Sequence, residues 1–233
     1  TNADFYNMAT GEPQGVVVKN GKEIHKNKGR NFFAIKKDGT PIIGTPKQYE
    51  DEKDHIQEAV GCGPILVEDG KAIEFSDGPY PYVGIGIRED NSVFIVCIDG
   101  AQYPYSSGFE QKDLAHLLVD MGAVCGAKLD GGGSATYISR TPGEDELSCK
   151  NSPSDGNERK VANSLQIVSD QKPDGNFESA YITPQDKTYT PNSTVQMNAA
   201  GVDKSGAPAK LPAEGLTWSL SDEKYGKIDK DGT

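Results

Sequence analysis

Three short motifs carry the side chains able to do chemistry. The first is Leu129-Asp130-Gly131-Gly132-Gly133-Ser134. Here a carboxylate closes an apolar strand and three glycines follow, whose backbone can take positive φ and approach a ligand closely. Successive amides in such a turn, those of Gly131, Gly132 and Gly133, can form an anion-binding concavity, and the Ser134 hydroxyl can add a donor. Apolar segments flank the run on both sides, which argues against a flexible linker. The second motif, Ile98-Asp99-Gly100, again ends an apolar strand on Asp-Gly. Two carboxylates facing one cleft are what glycoside hydrolysis needs, so Asp99 and Asp130 are the candidate catalytic acids. The plainer alternative is that each fixes its own turn through an Asx bond. The third motif runs from Pro153 through Ser154-Asp155-Gly156-Asn157-Glu158 to Arg159. The planar guanidinium of Arg159 fits a phosphate bidentately, with a surface ion pair as its alternative. Asp155 is either a reserve carboxylate or the group that orients Arg159.

These motifs need a scaffold of strands. The hairpin signals are Lys19-Asn20-Gly21-Lys22 after Val16-Val17-Val18, Lys37-Asp38-Gly39-Thr40 between Phe32–Ile35 and Pro41–Ile43, and Glu68-Asp69-Gly70-Lys71 after Ile65-Leu66-Val67. Residues 48–59 read as one short amphipathic helix, broken at Gly61-Cys62-Gly63-Pro64. Residues 83–87 and 92–98 read as a strand pair. Leu114, Leu117, Leu118 and Met121 recur at helical spacing and predict a helix ending at Gly122. Strands are expected at 124–129, 135–138 and 161–168. A strand–helix–strand unit of this length places its strands parallel in one sheet. Asp99 and Asp130 would then emerge on the same sheet edge.

The fold class expected is α+β: strand-rich mixed sheets packed with one or two helices, plus a small, incomplete all-β Ig-like sandwich. The domains follow as 1–168, a polar linker at 169–176, and 177–233, where Trp218 sits in a candidate core strand, residues 216–220. The 27 glycines and 14 prolines among 233 residues fit a turn-rich chain. A formal net charge of -11 leaves no basic stripe for a phosphate backbone, so nucleic acid is not an expected partner. No apolar run is long enough to enter a membrane. Cys62, Cys97, Cys125 and Cys149 form no CxxC pair and read as small buried thiols, with three full pairings open if all oxidise. No metal site and no cofactor is expected. His25, His55 and His116 are scattered, and no G-x-S-x-G elbow surrounds Ser134, so acyl transfer is disfavoured. The sequence starts without Met and reads as a piece of something longer.

Asn2-Ala3-Asp4-Phe5-Tyr6 with Gly15, Val60-Gly61-Cys62-Gly63-Pro64, Gly84-Ile85-Gly86, Ile98-Asp99-Gly100, Leu129 to Ser134, and Pro153 through Asn163 occur in an order that resembles the phosphodiester glycosidase family. The resemblance covers residues 1–168 and departs at Tyr82-Val83, Ala101 and Lys128. It implies a secreted or cell-surface bacterial hydrolase acting at the anomeric bond of a sugar-1-phosphate diester in a phosphorylated glycan. Asp99, Asp130 and Arg159 would be catalytic. Gly131, Gly132, Gly133, Ser134, Asp155, Asn2 and Asp4 would bind substrate. A metal-dependent phosphodiesterase attacking phosphorus and a non-catalytic phosphoglycan-binding module are the alternatives. Residues from about Ala180 resemble a bacterial Ig-like domain, which implies attachment to a cell wall or surface.

Overall fold

The computed structural model describes residues 1–75, 77–185 and 187–233. The chain divides into two compact units, residues 1–138 with 149–166, and residues 139–148 with 167–233.

The first unit contains two five-stranded antiparallel sheets. One is built from β1 (Val17–Lys19), β2 (Lys22–His25), β3 (Asn31–Lys36), β4 (Pro41–Gly44) and β5 (Ile56–Cys62), in the order β2-β1-β5-β3-β4. The other contains β6 (Ile65–Glu68), β7 (Lys71–Ala72), β8 (Tyr82–Arg88), β9 (Val93–Ile98) and β10 (Ala123–Lys128), in the order β7-β6-β10-β8-β9. Alternation along the strands divides the side chains between faces. Phe33, Val60 and Cys62 from the first sheet meet Val83, Ile85, Ile87 and Ala127 from the second in one shared core. Phe32, Ala34 and Ala59 point the other way, onto Tyr49 of helix α1 (Pro46–Glu52). Leu66 and Val67 pack under Leu114, Ala115 and Leu118 of helix α2 (Gln111–Asp120). The unit is thus helix, sheet, sheet, helix, and both sheets are covered on both faces.

The crossover through α2 has the expected consequence. β9 and β10 each pair antiparallel with β8, which lies between them, so they run parallel to one another. Ile98 pairs with Tyr82 and Lys128 with Gly84, which brings Asp99 and Asp130 out at the edge where β8 begins.

Several local expectations are corrected. The helix expected over 48–59 stops at Glu52, and Ile56–Cys62 is the central strand of its sheet. Thr45 and Gln48 form a reciprocal capping box with Pro46 at the first turn, which sets the start two residues earlier. Residues 135–138 do not form a strand: Gly132–Ser134 make a single 3-10 turn, and the next strand is β11 (Ile138–Arg140), paired with β12 (Leu147–Cys149). Residues 161–168 are not a strand either. They make one bridge, Asn2 to Ser164, because only residues 1–3 lie alongside, and Ile167 and Val168 are exposed.

The second unit contains a three-stranded antiparallel sheet, β13 (Ser179–Thr183), β14 (Asn198–Val202) and β15 (Pro208–Ala209). The segment 216–220 around Trp218 is not a strand. Asp203 is buried and accepts hydrogen bonds from the backbone amides of Asp174, Gly175, Ser205 and Ala207, an internal tie holding the loops beside this sheet.

Candidate active site

Asp130 leaves the end of β10 and is almost fully buried. Its amide donates to the Ala3 carbonyl at 2.8 Å, and its own carbonyl accepts from Asn2 Nδ2 at 2.7 Å. Asn2 Oδ1 in turn accepts from the Thr136 amide at 3.2 Å. A single buried carboxamide therefore bridges the backbone on both sides of the glycine run. Asn2 acts as a brace and does not line the cleft.

Asp4 has a comparable role. Its side chain is completely buried and takes a bidentate pair from Arg30, Nε to Oδ2 at 2.8 Å and Nη2 to Oδ1 at 2.7 Å. Two glycines make room for it. A Cβ on Gly15 would lie 2.3 Å from Asp4 Oδ2, and one on Gly61 would lie 2.2 Å from the same oxygen. The spacing of Asp4, Gly15 and Gly61 is thus one packing solution, a carboxylate seated over two bare backbones, one just before β1 and one in β5.

The glycine run does not expose all of its amides. The Gly131 amide donates to Asp130 Oδ1 at 3.0 Å and the Gly132 amide to the Pro81 carbonyl at 3.0 Å. Of the expected three-amide cradle, Gly133 remains as the candidate donor. Gly133 has a second use: a Cβ there would fall 2.1 Å from both Arg159 Nη2 and Asp155 Oδ1. The Asp155–Arg159 pair therefore lies directly on the Gly133 backbone. Arg159 donates from Nε to Asp155 Oδ2 at 2.8 Å and from Nη2 to Oδ1 at 3.0 Å. That pairing pulls the Asp155 carboxyl below its ordinary range.

These residues line a cleft of about 300 Å³ that takes in Asp130, Gly131 to Ser134 and Arg159. Its walls are aromatic, from Phe5, Tyr6, Tyr80 and Tyr82, with Lys128 at the margin. Tyr82 is held through its hydroxyl to Asp77, and Tyr6 through its hydroxyl to the Lys160 carbonyl at 2.7 Å. The carboxyl of Asp130 is pushed up mainly by burial and secondarily by the Asp4 charge. Ser134, the Gly131 amide and Arg159 oppose that shift. Ser134 Oγ is fully buried and has no hydrogen-bond partner of normal geometry, although it lies near enough to Asp130 to favour the ionised form. A buried hydroxyl without a partner is costly unless a ligand or water satisfies it.

Asp99 departs from the expectation that both carboxylates face this cleft. It is not among the lining residues. Its Oδ1 accepts from Asn151 Nδ2 at 2.9 Å and from the Ser152 amide at 3.0 Å, and its Oδ2 accepts from the Tyr105 hydroxyl at 3.0 Å. Ser152 is also held by Gln102, which donates to its carbonyl at 2.6 Å and accepts from its hydroxyl at 2.8 Å. Asp99 therefore anchors the start of the loop that leads to Asp155 and Arg159. Among the described residues no group of three or more His, Cys, Asp and Glu is placed to hold a metal ion. The four thiols are unpaired, and burial raises those of Cys62, Cys97 and Cys125.

Residues that the motifs did not single out as site residues are Arg30, Lys128 and the aromatic walls. Phe5 and Tyr6 were signalled by their place directly after Asp4. Arg30 carried only the signal of scarcity, as one of four arginines.

Comparison with known proteins adds three findings. Residues 1–168 match the family described as phosphodiester glycosidase. A Bos taurus protein named N-acetylglucosamine-1-phosphodiester alpha-N-acetylglucosaminidase is 26% identical over 160 residues, covering 59% of this chain and 30% of that protein. The chain thus spans less than a third of that relative's length. The solved catalytic domain of the zebrafish protein of the same name, described as auto-inhibited by its pro-peptide, shares the fold. It matches with a TM-score of 0.56 and 21% identity, over 71% of this chain and 59% of that one.

Proposed function

The chain belongs to the phosphodiester glycosidase family, and from that premise we propose that residues 1–168 hydrolyse the anomeric C–O bond of a sugar-1-phosphate diester in a glycan or cell-surface polymer. The observation that carries this reading is the cleft in which a buried carboxylate, Asp130, an unpartnered hydroxyl, Ser134, and a guanidinium, Arg159, stand together.

The chemistry divides naturally between them. The departing phosphate monoester is already a stable anion near neutral pH, so it needs charge stabilisation more than a proton. Arg159, the Gly133 amide and Ser134 supply it. Asp130 attacks the anomeric carbon or activates water, and its charge steadies the oxocarbenium-like transition state. Burial makes it a stronger base than an exposed aspartate. Asp155 holds two of the Arg159 donor groups, Nε and Nη2, leaving Nη1 to face the phosphate. Asp99 is a positioning residue acting through Ser152, while Asn2 and Asp4 fix the segment against which Asp130 rests. The aromatic walls suit the apolar faces of a sugar ring. Local donors must dominate, because a net charge of -11 repels an anionic substrate at long range.

The deciding experiment is hydrolysis of sugar-1-phosphate diesters in ¹⁸O water, with both products weighed. Anomeric cleavage puts the label in the reducing sugar. Label in the phosphate monoester, with activity lost to chelator, would overturn the reading in favour of a phosphodiesterase. Binding of such diesters with no turnover would leave a phosphoglycan-binding module.

Arg159→Lys is expected to reduce kcat/KM on a cleavable diester by roughly 10-fold or more, since an ammonium loses both the fork and the Asp155 clamp. Steady-state kinetics of the variant against the parent check this. Equal values would remove Arg159 from the site.

Two further readings belong with this proposal. Residues 177–233, after a linker at 169–176, are an Ig-like module, supported by the turn-rich sequence and the antiparallel sheet β13-β14-β15. The protein works outside the cell or at its surface, attached to the wall through such modules. Among the described residues no helix is long and apolar enough to cross a membrane.

A further inference from the structure

Lys128 borders two clefts. Beside the one containing Asp130 lies a second, of about 360 Å³, lined by Arg30, Asn31, Gly63 and Pro64 with Phe5 and Lys128 shared. The two arginines around them are each matched by a carboxylate, Arg30 by Asp4 and Arg159 by Asp155. Lys128 is different. Its ammonium lies over two ring faces, 4.7 Å from the centre of Tyr82 and 5.8 Å from that of Phe5. Among the described residues no carboxylate comes within ion-pairing distance of it. Half-burial lowers its pKa, with only the more distant charges of Asp77 and Asp130 opposing. A half-buried cation with aromatic support and no anion is unfinished unless something negative joins it.

We infer that Lys128 and the cleft beyond it form a second anion subsite, so that the substrate carries a further phosphate or other anionic group next to the scissile diester. This rests on the proposed glycosidase reading and deepens it from a sugar-1-phosphate diester to a polyanionic one. The scissile phosphate has Arg159, Ser134 and the Gly133 amide. The second group would have the Lys128 ammonium and the remaining Nη1 edge of Arg30, whose Nε and Nη2 are occupied by Asp4. Asn31 stiffens the far wall by donating to the Gly63 carbonyl at 2.9 Å.

The test is calorimetric binding of two probes that differ by one phosphate, butyl phosphate and butane-1,4-diyl bisphosphate. The bisphosphate is expected to bind at least about tenfold more tightly, as one added charge-assisted contact implies. Lys128→Met should abolish that advantage and Lys128→Arg should keep it. Arg159→Lys should weaken both probes together. Equal affinity of the two probes for the parent protein, or an advantage that survives Lys128→Met, would overturn the second subsite while leaving the first intact. Failure of both probes to bind would remove the anion cleft itself, and with it the reading on which this inference rests. 4-(Phosphonooxy)butanoate, bound as tightly as the bisphosphate, would identify a carboxylate as an equally good second group.

Discussion

Asp130→Asn is expected to lower kcat on a cleavable diester by at least about 10²-fold, the scale of a positioned nucleophile or base. The fold should survive, because the amide oxygen of Asn can still accept from the Gly131 amide, as Oδ1 does now at 3.0 Å. Stability should even move the other way. Burial raises the Asp130 carboxyl above its ordinary value of 3.8, so the folded protein disfavours the charged form. Such a group contributes stability only while protonated, and that contribution is lost as pH rises through its raised pKa. At neutral pH the Asn variant should therefore melt no lower than the parent. The same shift fixes the acid limb of the activity profile: kcat/KM falls as pH drops through a value above the ordinary carboxylate range, when Asp130 takes up its proton. Kinetics and a thermal melt on one preparation check both halves. Full activity in the Asn variant would end the assignment.

Asp4→Ala should produce the largest loss of stability. Breaking a buried ion pair from one side strands the other charge and costs about 3–5 kcal/mol. Arg30 keeps 24% of its side-chain exposure, which places the expected cost near the lower end, about 3 kcal/mol. For a chain of this size that corresponds to a fall in Tm on the order of 6–12 °C, read by calorimetry. Gly61→Ala should act at the same point from the other direction, since the new methyl would sit 2.2 Å from Asp4 Oδ2 and 2.6 Å from the Gly15 backbone. An unchanged melting temperature in both variants would show that the pair contributes nothing to the fold.

Much of this architecture was legible in the residues. Alternation and turn chemistry located most strands, because Asn20-Gly21 and Asp69-Gly70 adopt the positive φ angles that tight hairpins demand. The apolar stripe of α2 was equally plain, and with it the parallel relation of β9 and β10. Strand β5 was hidden because polar Gln57 and Glu58 interrupt its apolar run, and its assignment to a sheet depends on partners at distant positions, Val17 and Phe33. The site itself was half visible. The glycine run announced a close backbone approach, yet what approaches Gly133 includes the protein's own Asp155–Arg159 pair. Asp99 misled for a similar reason. Strand topology does bring it to the correct edge, but besides nearby Tyr105 the hydrogen-bond donors on its carboxylate lie more than fifty residues away, at Asn151 and Ser152. Such partnerships leave no local periodicity to read.

The bracing of Asp130 by residues 2–4 has a consequence for biosynthesis. Asn2 reaches across to the backbone at residues 130 and 136, and the Ala3 and Asp4 amides are held by Asn163. On a ribosome, the hairpins of the first sheet can form while the chain is still short, but the candidate pocket around Asp130 and Arg159 cannot. The Asp4–Arg30 pair can form early and the Asn2 bridge once residues 130–136 are out, but the Ala3 and Asp4 amides must wait until residue 163 has emerged from the exit tunnel. Closing contacts of such long sequence separation are entropically slow. Activity should therefore appear after bulk secondary structure during synthesis or refolding, as a separate late step. A nascent chain arrested before Asn163 would contain Asp130, the glycines, Ser134 and the Asn2 bridge, but not the Asn163 contacts that fasten Ala3 and Asp4 behind them.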